Sequence, residues 1–359
     1  MYKIRRLGIS AAVSVLAVPA PVPALAISPD SPAAQIITVV ADGALDNLSG
    51  LALAENGQLM FTVQDARRST LLYALDRRGR TAFTVPLPKG GNEDWEDLAT
   101  GTLADGRRVV VIADTGDAFQ VRRGSGQRYR TSFRILRFDE PDAAAKGPSG
   151  LVSHPVRYPD LKTRNVETLL LQPGTGRIYL VTKTQAPAAA PGAASQPPPA
   201  AAEVWELPEN PSTENVNVLR EVTRSLPVPA ASGGAFSPSG DRLVVRNGEN
   251  AFVWWVERGE VANALTREPV KIHLPPQRQG EGVAFTRDGH ALLVNSEGSR
   301  QPIWRVPLPR SADTASPPTP PTTETRAEGI PRTPLTVFAL LMFAASAGIA
   351  IHKIRTRRE

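Results

Sequence analysis

Residues 36–309 repeat one pattern of hydrophobic and polar positions five times. Each unit opens with a short apolar run, crosses a turn that contains glycine, and enters a longer apolar run. The opening runs start 47 to 71 residues apart, at Ser49, Glu96, Glu167, Gly233 and Glu281. The turn glycines are Gly57, Gly106, Gly176, Gly240 and Gly289. Alternating apolar runs joined by glycine turns predict β-hairpins.

Two more apolar runs follow in most units. A third run, with a large apolar residue at its centre, covers 71–75, 134–138, 203–207, 252–256 and 302–306. A fourth run is present in four units, at 81–86, 151–158, 216–228 and 270–274. The fifth unit ends at Leu308 before a fourth run, and an unmatched run at 36–40 precedes the first unit.

Four strands per unit, with the last one supplied from the other end, are typical of a β-propeller that closes its ring and leaves no open sheet edge. The sequence therefore predicts an all-β propeller of four-stranded blades, closed by the N-terminal strand. We favour five blades. Six blades are the alternative if the longest unit conceals a degenerate blade, and a pair of β-sandwiches is the other.

The N-terminal residues have the organisation of a secretory signal. Lys3, Arg5 and Arg6 precede an apolar stretch that ends in Ala24-Leu25-Ala26. A charged start, an apolar middle and small residues at the exit predict a signal peptide at 1–26. The body of the protein is then expected outside the cell, as in a bacterial-type surface protein.

The C-terminal residues predict a membrane anchor. Residues 335–351 carry no formal charge, and a basic tail, 352–359, follows them. The length suits a single transmembrane helix at 334–351, and basic residues remain on the cytoplasmic side. Pro- and Thr-rich residues 311–333 predict an extended stalk. An Ala- and Pro-rich loop at 186–202 interrupts the predicted ectodomain, 27–310.

Charge and cysteine content exclude several functions. The formal charge of +6 comes from the two ends, and residues 27–351 are neutral. Because a nucleic-acid binder needs a basic face, we expect no nucleic-acid partner. Four neighbouring arginines are expected in a solvated loop: Arg122, Arg123, Arg128 and Arg130. Without cysteine there is no disulfide, no thiolate zinc site and no cysteine nucleophile.

Carboxylates recur at the positions that should line a propeller channel. Glu96, Glu167 and Glu281 open first strands, and further acids follow second strands. Converging carboxylates repel one another, so a cation, a basic side chain or a raised pKa must compensate. A calcium site would use Glu96, Asp97, Asp114, Asp117, Glu167, Glu281 and Glu297. The expected channel neighbours are Asp65, Lys183 and Arg246.

Two other interpretations of these acids remain open. They could cap strand ends by accepting hydrogen bonds from backbone amides across blades. They could also hold an acid–base pair. No Gly-x-Ser-x-Gly nucleophile motif or paired-histidine zinc spacing is present in the sequence. Trp205, Trp254 and Trp304 form a third-strand column that predicts packing between blades.

Two motifs carry a family resemblance. Asp94-Trp95-Glu96-Asp97-Leu98-Ala99 and Asp114-Thr115-Gly116-Asp117 resemble paired motifs of uncharacterised secreted bacterial propellers, which are distantly similar to NHL-type and phytase-like propellers. Ala118 stands where that group usually has Asn. The resemblance implies the propeller fold and an acidic channel. We expect a membrane-anchored extracellular propeller that binds a ligand or partner; the alternative is a Ca²⁺-dependent hydrolase of the phosphoesterase type.

Overall fold

The computed structural model describes residues 33–65, 69–88, 92–117, 130, 133–184, 201–309 and 312. These residues form five β-sheets and one short α-helix, α1 (Val261–Ala264). The predicted signal peptide, stalk, transmembrane helix and tail lie outside this described part, apart from Ala312, and so does most of the predicted loop at 186–202. No helix within the described residues has the length and apolar character needed to span a membrane.

The first two blades follow the predicted hairpin order. Blade 1 contains β2 (Leu48–Leu53), β3 (Met60–Gln64), β4 (Leu71–Leu75) and β5 (Thr81–Pro86). Blade 2 contains β6 (Trp95–Thr102), β7 (Arg108–Asp114), β8 (Phe133–Asp139) and β9 (Val152–Arg157).

Blade 3 differs from the prediction at its last strand. It contains β10 (Val166–Leu171), β11 (Ile178–Thr182), β12 (Ala202–Glu206) and β14 (Arg220–Leu226). The prediction of one continuous strand at 216–228 is wrong, because β13 (Asn217–Val218) leaves blade 3 and pairs in parallel with β9 of blade 2. The Asn217 amide group secures this crossing by donating to the carbonyl of Pro155 at 2.9 Å. Ala202, predicted as the last loop residue, begins β12.

The remaining two blades complete the ring. Blade 4 contains β15 (Gly233–Phe236), β16 (Arg242–Arg246), β17 (Asn250–Trp255) and β18 (Val270–His273). Blade 5 contains β19 (Gly280–Phe285), β20 (Ala291–Ser296) and β21 (Pro302–Pro307), with β1 (Gln35–Val39) antiparallel to β21. The described residues thus confirm an all-β propeller of five four-stranded blades, closed by the N-terminal strand.

The innermost strands contact one another in a closed cycle around the axis. Their order is β2, β6, β10, β15, β19 and back to β2. All five run in the same direction, so the residues that open them lie at one end of the channel. The hairpin turns into the second strands lie at the other. We call these the acidic end, defined by Glu96, Glu167 and Glu281, and the hairpin end, defined by the turns after β2, β6, β10, β15 and β19.

The turn glycines explain how every hairpin closes in the same way. Gly57, Gly106, Gly176, Gly240 and Gly289 have φ values of 62°, 85°, 73°, 74° and 73°. Because L side chains rarely adopt this left-handed region, glycine at each turn is required by the backbone. The glycine column of the sequence therefore marks the hairpin end.

The hydrophobic core consists of five clusters, one at each junction between neighbouring blades. Trp95, Trp205 and Trp254 are fully buried at the junctions of blades 1–2, 2–3 and 3–4. Trp304 packs against the cluster of blades 4–5. The third-strand tryptophans, of which Trp205 and Trp254 are fully buried and Trp304 is half-buried, therefore pack between blades as predicted.

The junction of blades 5 and 1, which we call the seam, is held by β1. The backbone N–H of Ala41 donates to the carbonyl of Gly79, in the outer turn of blade 1, at 2.8 Å. A Cβ atom on Gly79 would lie 2.0 Å from the carbonyl oxygen of Val39. Only glycine at position 79 leaves room for this approach of the two backbones. The contact joins β1 to blade 1, in addition to its pairing with β21 of blade 5.

Candidate functional site

The three glutamates of the acidic end share a local backbone feature. Glu96, Glu167 and Glu281 each lie where the register between an inner strand and its neighbour shifts. A β-bulge inserts an extra residue, bends the strand and redirects a side chain. The shifts therefore explain how glutamates within buried strands reach a common space instead of packing between blades.

Burial of several acids together disfavours their ionised forms. Burial raises the pKa of Glu96 well above its ordinary value, and repulsion from neighbouring carboxylates adds to the shift. Those neighbours are Glu167, Asp94, Asp65 and Glu281. Burial, with repulsion from Glu167, raises the pKa of Glu281 to about 8. Protons are therefore shared among these carboxyl groups near neutral pH.

The cluster extends to the second-strand column. Burial raises the pKa of Glu297 to about 7, and repulsion from Asp65 adds to the shift. The structure thus brings Glu96, Glu167, Glu281, Glu297 and Asp65 into one electrostatic group. Asp94, which the sequence analysis did not count as a site residue, belongs to the same group.

Lys183 supplies positive charge within this group. Its ammonium group pairs with the carboxylate of Glu167. Burial alone lowers the pKa of Lys183, but attraction to Glu167, Glu281 and Glu96 outweighs it and raises that pKa. The ammonium group therefore stays charged at neutral pH and is not available as a nucleophile or base.

Neutral amides orient two of the glutamates. The side-chain amide of Asn165 donates to Glu167 Oε1 at 2.7 Å, and that of Gln279 donates to Glu281 Oε1 at 3.0 Å. Asn165 and Gln279 each stand two residues before the glutamate they bind, where the Glu96 unit has Asp94. This column was not predicted from the sequence, although aligning the units on their glutamates reveals it.

Glu96 differs from the other two glutamates. The residue is 7% exposed, and no hydrogen-bond donor to its carboxylate is found in the described part of the chain. A Cβ atom on Gly116 would lie 2.0 Å from Glu96 Oε1 and 2.6 Å from an Asp94 carboxylate oxygen. A side chain at position 116 would collide with both carboxyl groups, so glycine is needed there.

Asp97 faces away from the group. Its two carboxylate oxygens accept hydrogen bonds from the backbone amides of Leu98 and Leu169, each at 2.8 Å. Burial raises the pKa of Asp97 well above its ordinary value, and these amides oppose the shift. Because Leu169 belongs to blade 3, Asp97 links two blades, which is the strand-capping interpretation of the acids.

Asp114 is engaged by arginines. It is fully buried, and its oxygens contact Arg130 at 3.0 Å and Arg134 at 2.8 Å. Arg130 is 5% exposed, so its expected place in a solvated loop is wrong. Pairing with two guanidinium groups offsets the cost of burying this carboxylate, and it holds Arg130 inside. Nearby, the backbone N–H of Asp117 donates to Asn165 Oδ1 at 2.7 Å.

Arg246 is buried beside the cluster. Its Nε donates to the carbonyl of Asn247 at 2.9 Å. Burial lowers its pKa to about 10, against attraction from Glu281. A Cβ on Gly280 would meet the guanidinium at 1.8 Å. Arg246 therefore packs directly against the start of β19.

Within the described residues, no group of three or more acidic or histidine side chains has a geometry that could hold a metal ion. Lys183 supplies positive charge that offsets repulsion among the carboxylates, a role for which a bound metal cation was one of the expected alternatives. The calcium site stays a prediction.

Comparison with known proteins gives only distant similarity. No protein-family model matches the sequence, and no curated protein matches it. Among solved structures, a luciferin-regenerating enzyme is 12% identical, with 77% of this chain and 95% of that chain covered and a TM-score of 0.41. A gluconolactonase from Xanthomonas campestris is 14% identical, with 74% and 88% covered and a TM-score of 0.39.

The WD40 domain of Neurospora crassa Pan2 is a third similar structure. It is 10% identical, with 77% of this chain and 96% of that chain covered and a TM-score of 0.36. At these identities and scores the matches assign neither a family nor an activity to the chain.

Proposed function

We propose that this chain is a ligand-binding propeller whose acidic end takes a positively charged ligand, presented outside the cell on a membrane anchor. The observation that carries the proposal is Glu96, which is buried, faces other carboxylates and has no donor among the described residues. A cationic group beside Glu96 would relieve repulsion and supply the missing donor. The predicted signal peptide and apolar C-terminal stretch support the extracellular placement.

The charge of the acidic end argues against the phosphoesterase alternative. A phosphate ester approaching five or more carboxyl groups would be repelled unless a metal ion intervened. Lys183 is already paired with Glu167. An organic ammonium ion, such as a protonated amine, suits carboxylates without demanding six to eight oxygen ligands, as calcium does.

The test is thermal unfolding of the full-length protein at pH 8 with spermidine, and separately with Ca²⁺. We expect spermidine to raise the midpoint in a dose-dependent manner, because a ligand that binds only the folded state stabilises it. Glu96→Gln should remove the shift. The matched control is Glu214→Gln, which alters an exposed glutamate of the segment before β13 and should retain it.

Two results would overturn this proposal. A rise with Ca²⁺ alone that Glu96→Gln removes would favour the metal-dependent alternative and justify a phosphoesterase assay. The absence of any shift with either cation would indicate that the carboxyl groups serve only the fold.

The anchor has a separate test. Deletion of 335–351 should release the protein from the membrane fraction into the medium, because the apolar stretch is then lost. Retention of the deleted protein in membranes would contradict the predicted anchor without bearing on the acidic end.

A further inference from the structure

A cleft of about 600 Å³ opens at the seam, on the hairpin side of the propeller. We call it the seam cleft. Its apolar floor consists of Ile37, Leu53, Met60 and Leu293. Volumes between roughly 300 and 1,000 Å³ are typical of small-molecule sites. The cleft therefore has the size and apolar lining of a binding site.

The seam is open because its packing differs from that of the other junctions. Each of the other four junctions includes a tryptophan, whereas the largest aromatic residue of the seam cluster is Tyr73. The closing strand β1 also contributes little bulk, since Ile37 remains 41% exposed. An exposed apolar side chain within a cleft indicates a surface that an apolar ligand would cover.

Three arginines surround this floor: Arg77, Arg287 and Arg305. Arg287 pairs with Glu55 at 2.8 Å. For Arg77 and Arg305, no salt bridge is found among the described residues. The acid of the lining, Asp288, accepts hydrogen bonds from the Thr286 hydroxyl at 2.5 Å and from the His290 amide at 3.0 Å.

Asp288 offsets only part of the positive charge of the cleft, which three arginines line. The hydrogen bond from Thr286 lowers the pKa of Asp288, and Arg305 contributes weakly from beyond salt-bridge distance. The guanidinium groups of Arg77 and Arg305 therefore have N–H donors available to bind an anionic ligand. Arginine binds carboxylates through paired, charge-assisted hydrogen bonds.

We propose that the seam cleft binds an amphipathic carboxylate, with its apolar part on the floor and its carboxylate at Arg77 and Arg305. The site is independent of the proposed function, since it involves no residue of the acidic end and takes a ligand of opposite charge. The apolar part of such a ligand would cover the floor, and its negative charge would pair with the two arginines for which the described residues provide no salt bridge.

The test is calorimetric titration of the full-length protein with 4-phenylbutyrate, against a blank of matched buffer and solubilising agent. We expect saturable binding of the carboxylate and binding weaker by about tenfold for 4-phenylbutanamide, because loss of one charge-assisted contact is worth about 1.4 kcal/mol. 4-Phenylbutylamine, which carries a positive charge, should bind more weakly still.

Variants locate the site. Arg305→Gln and Arg77→Gln should each weaken binding by several-fold, whereas Arg78→Gln should not. Arg78 lies in the same exposed turn as Arg77 but does not line the cleft. Ile37→Trp should prevent binding by filling the floor, and its exposed position should preserve folding.

Three outcomes would overturn the proposal: no saturable binding, equal affinity for the amine and the carboxylate, or equal weakening by Arg78→Gln and Arg305→Gln. Glu96→Gln should leave 4-phenylbutyrate binding unchanged, so that failure here and failure at the acidic end are distinguishable.

Discussion

The two ends of the channel are built from the same five inner strands but carry opposite chemistry. At the acidic end, glutamates from three strands are buried together around Lys183. At the hairpin end, a small cavity of about 80 Å³ is lined mostly by apolar residues such as Leu53, Phe236 and Phe285. The charges there lie on the rim, where Arg108 contacts Glu55 at 2.7 Å and Glu140 at 2.9 Å.

The difference shows how position along a strand determines what a charge can do. At the start of the inner strands, register shifts turn glutamates into a confined space, where burial changes their pKa values. At the glycine turns, the charges meet solvent and are screened. The acidic end should therefore respond strongly to pH and mutation, and the hairpin rim should respond weakly.

The largest expected effect is the pH dependence contributed by Glu281. Its folded-state pKa of about 8 exceeds the ordinary value of 4.5. The folded state therefore retains a proton that the unfolded state has lost, and the free energy of unfolding falls as pH rises from about 4.5 to about 8. The largest slope is about 1.4 kcal/mol per pH unit for one group; because the slope declines near each pKa, the total change over this window is about 4 kcal/mol.

Denaturant unfolding at several pH values measures this slope. Glu281→Gln should flatten it and should be more stable than the unaltered protein at pH 8. A free energy of unfolding that stays constant from pH 5 to 8 in the unaltered protein would contradict the prediction.

The second effect separates a strand-capping acid from an exposed one. Asp97→Ala leaves the buried amides of Leu98 and Leu169 without acceptors, and the expected loss is about 3 kcal/mol. Asp105→Ala, in the β6–β7 turn at the hairpin end, should cost much less because Asp105 is exposed. Chemical denaturation of both variants makes the comparison, and equal losses would refute it.

A third effect comes from the central ammonium group. Lys183→Met removes the partner of Glu167, and we expect a loss of about 2 kcal/mol at pH 8. At pH 5 the loss should be smaller, because the carboxyl groups can then be neutral. Lys162→Met, which alters an exposed lysine, is the control. A loss that does not depend on pH would show that Lys183 acts through packing of its stem.

The smallest effect is expected at the hairpin rim. Arg108→Gln breaks partly exposed ion pairs with Glu55 and Glu140, and pairs of this kind contribute below about 1 kcal/mol. The loss should shrink further in high salt. If this change destabilised the protein as much as Lys183→Met, the contrast between the two ends would not hold.

The repeat made the architecture predictable. Glycine at each turn and alternation within each run are local requirements of hairpins, so blade number, strand order and ring closure followed from them. The strand at 216–228 was mistaken because its division depends on Asn217 reaching Pro155 in another blade. Local alternation carries no information about such a partner.

For the candidate site, the sequence predicted only which equivalent positions of the repeated units carry acids. Position within the repeat indicated that Glu96, Glu167 and Glu281 share one end of the channel, with Asp65, Glu297 and Lys183 beside them. It did not distinguish these acids from Asp97 or Asp114. Neighbouring residues such as Glu96 and Asp97 differ by one strand position, and a single position decides which side of a strand a side chain occupies.

The sequence by itself therefore determined the propeller fold, the glycine turns and the columns of acids that should line the channel, because each follows from periodicity that is local to the chain. Only the tertiary structure decided the partner of each charge. Arg130 is buried because Asp114 needs a cation, Asp97 is capped by an amide from the next blade, and the seam is open where no tryptophan fills it. Burial and pairing depend on distances between blades, and the linear order of residues does not contain those distances.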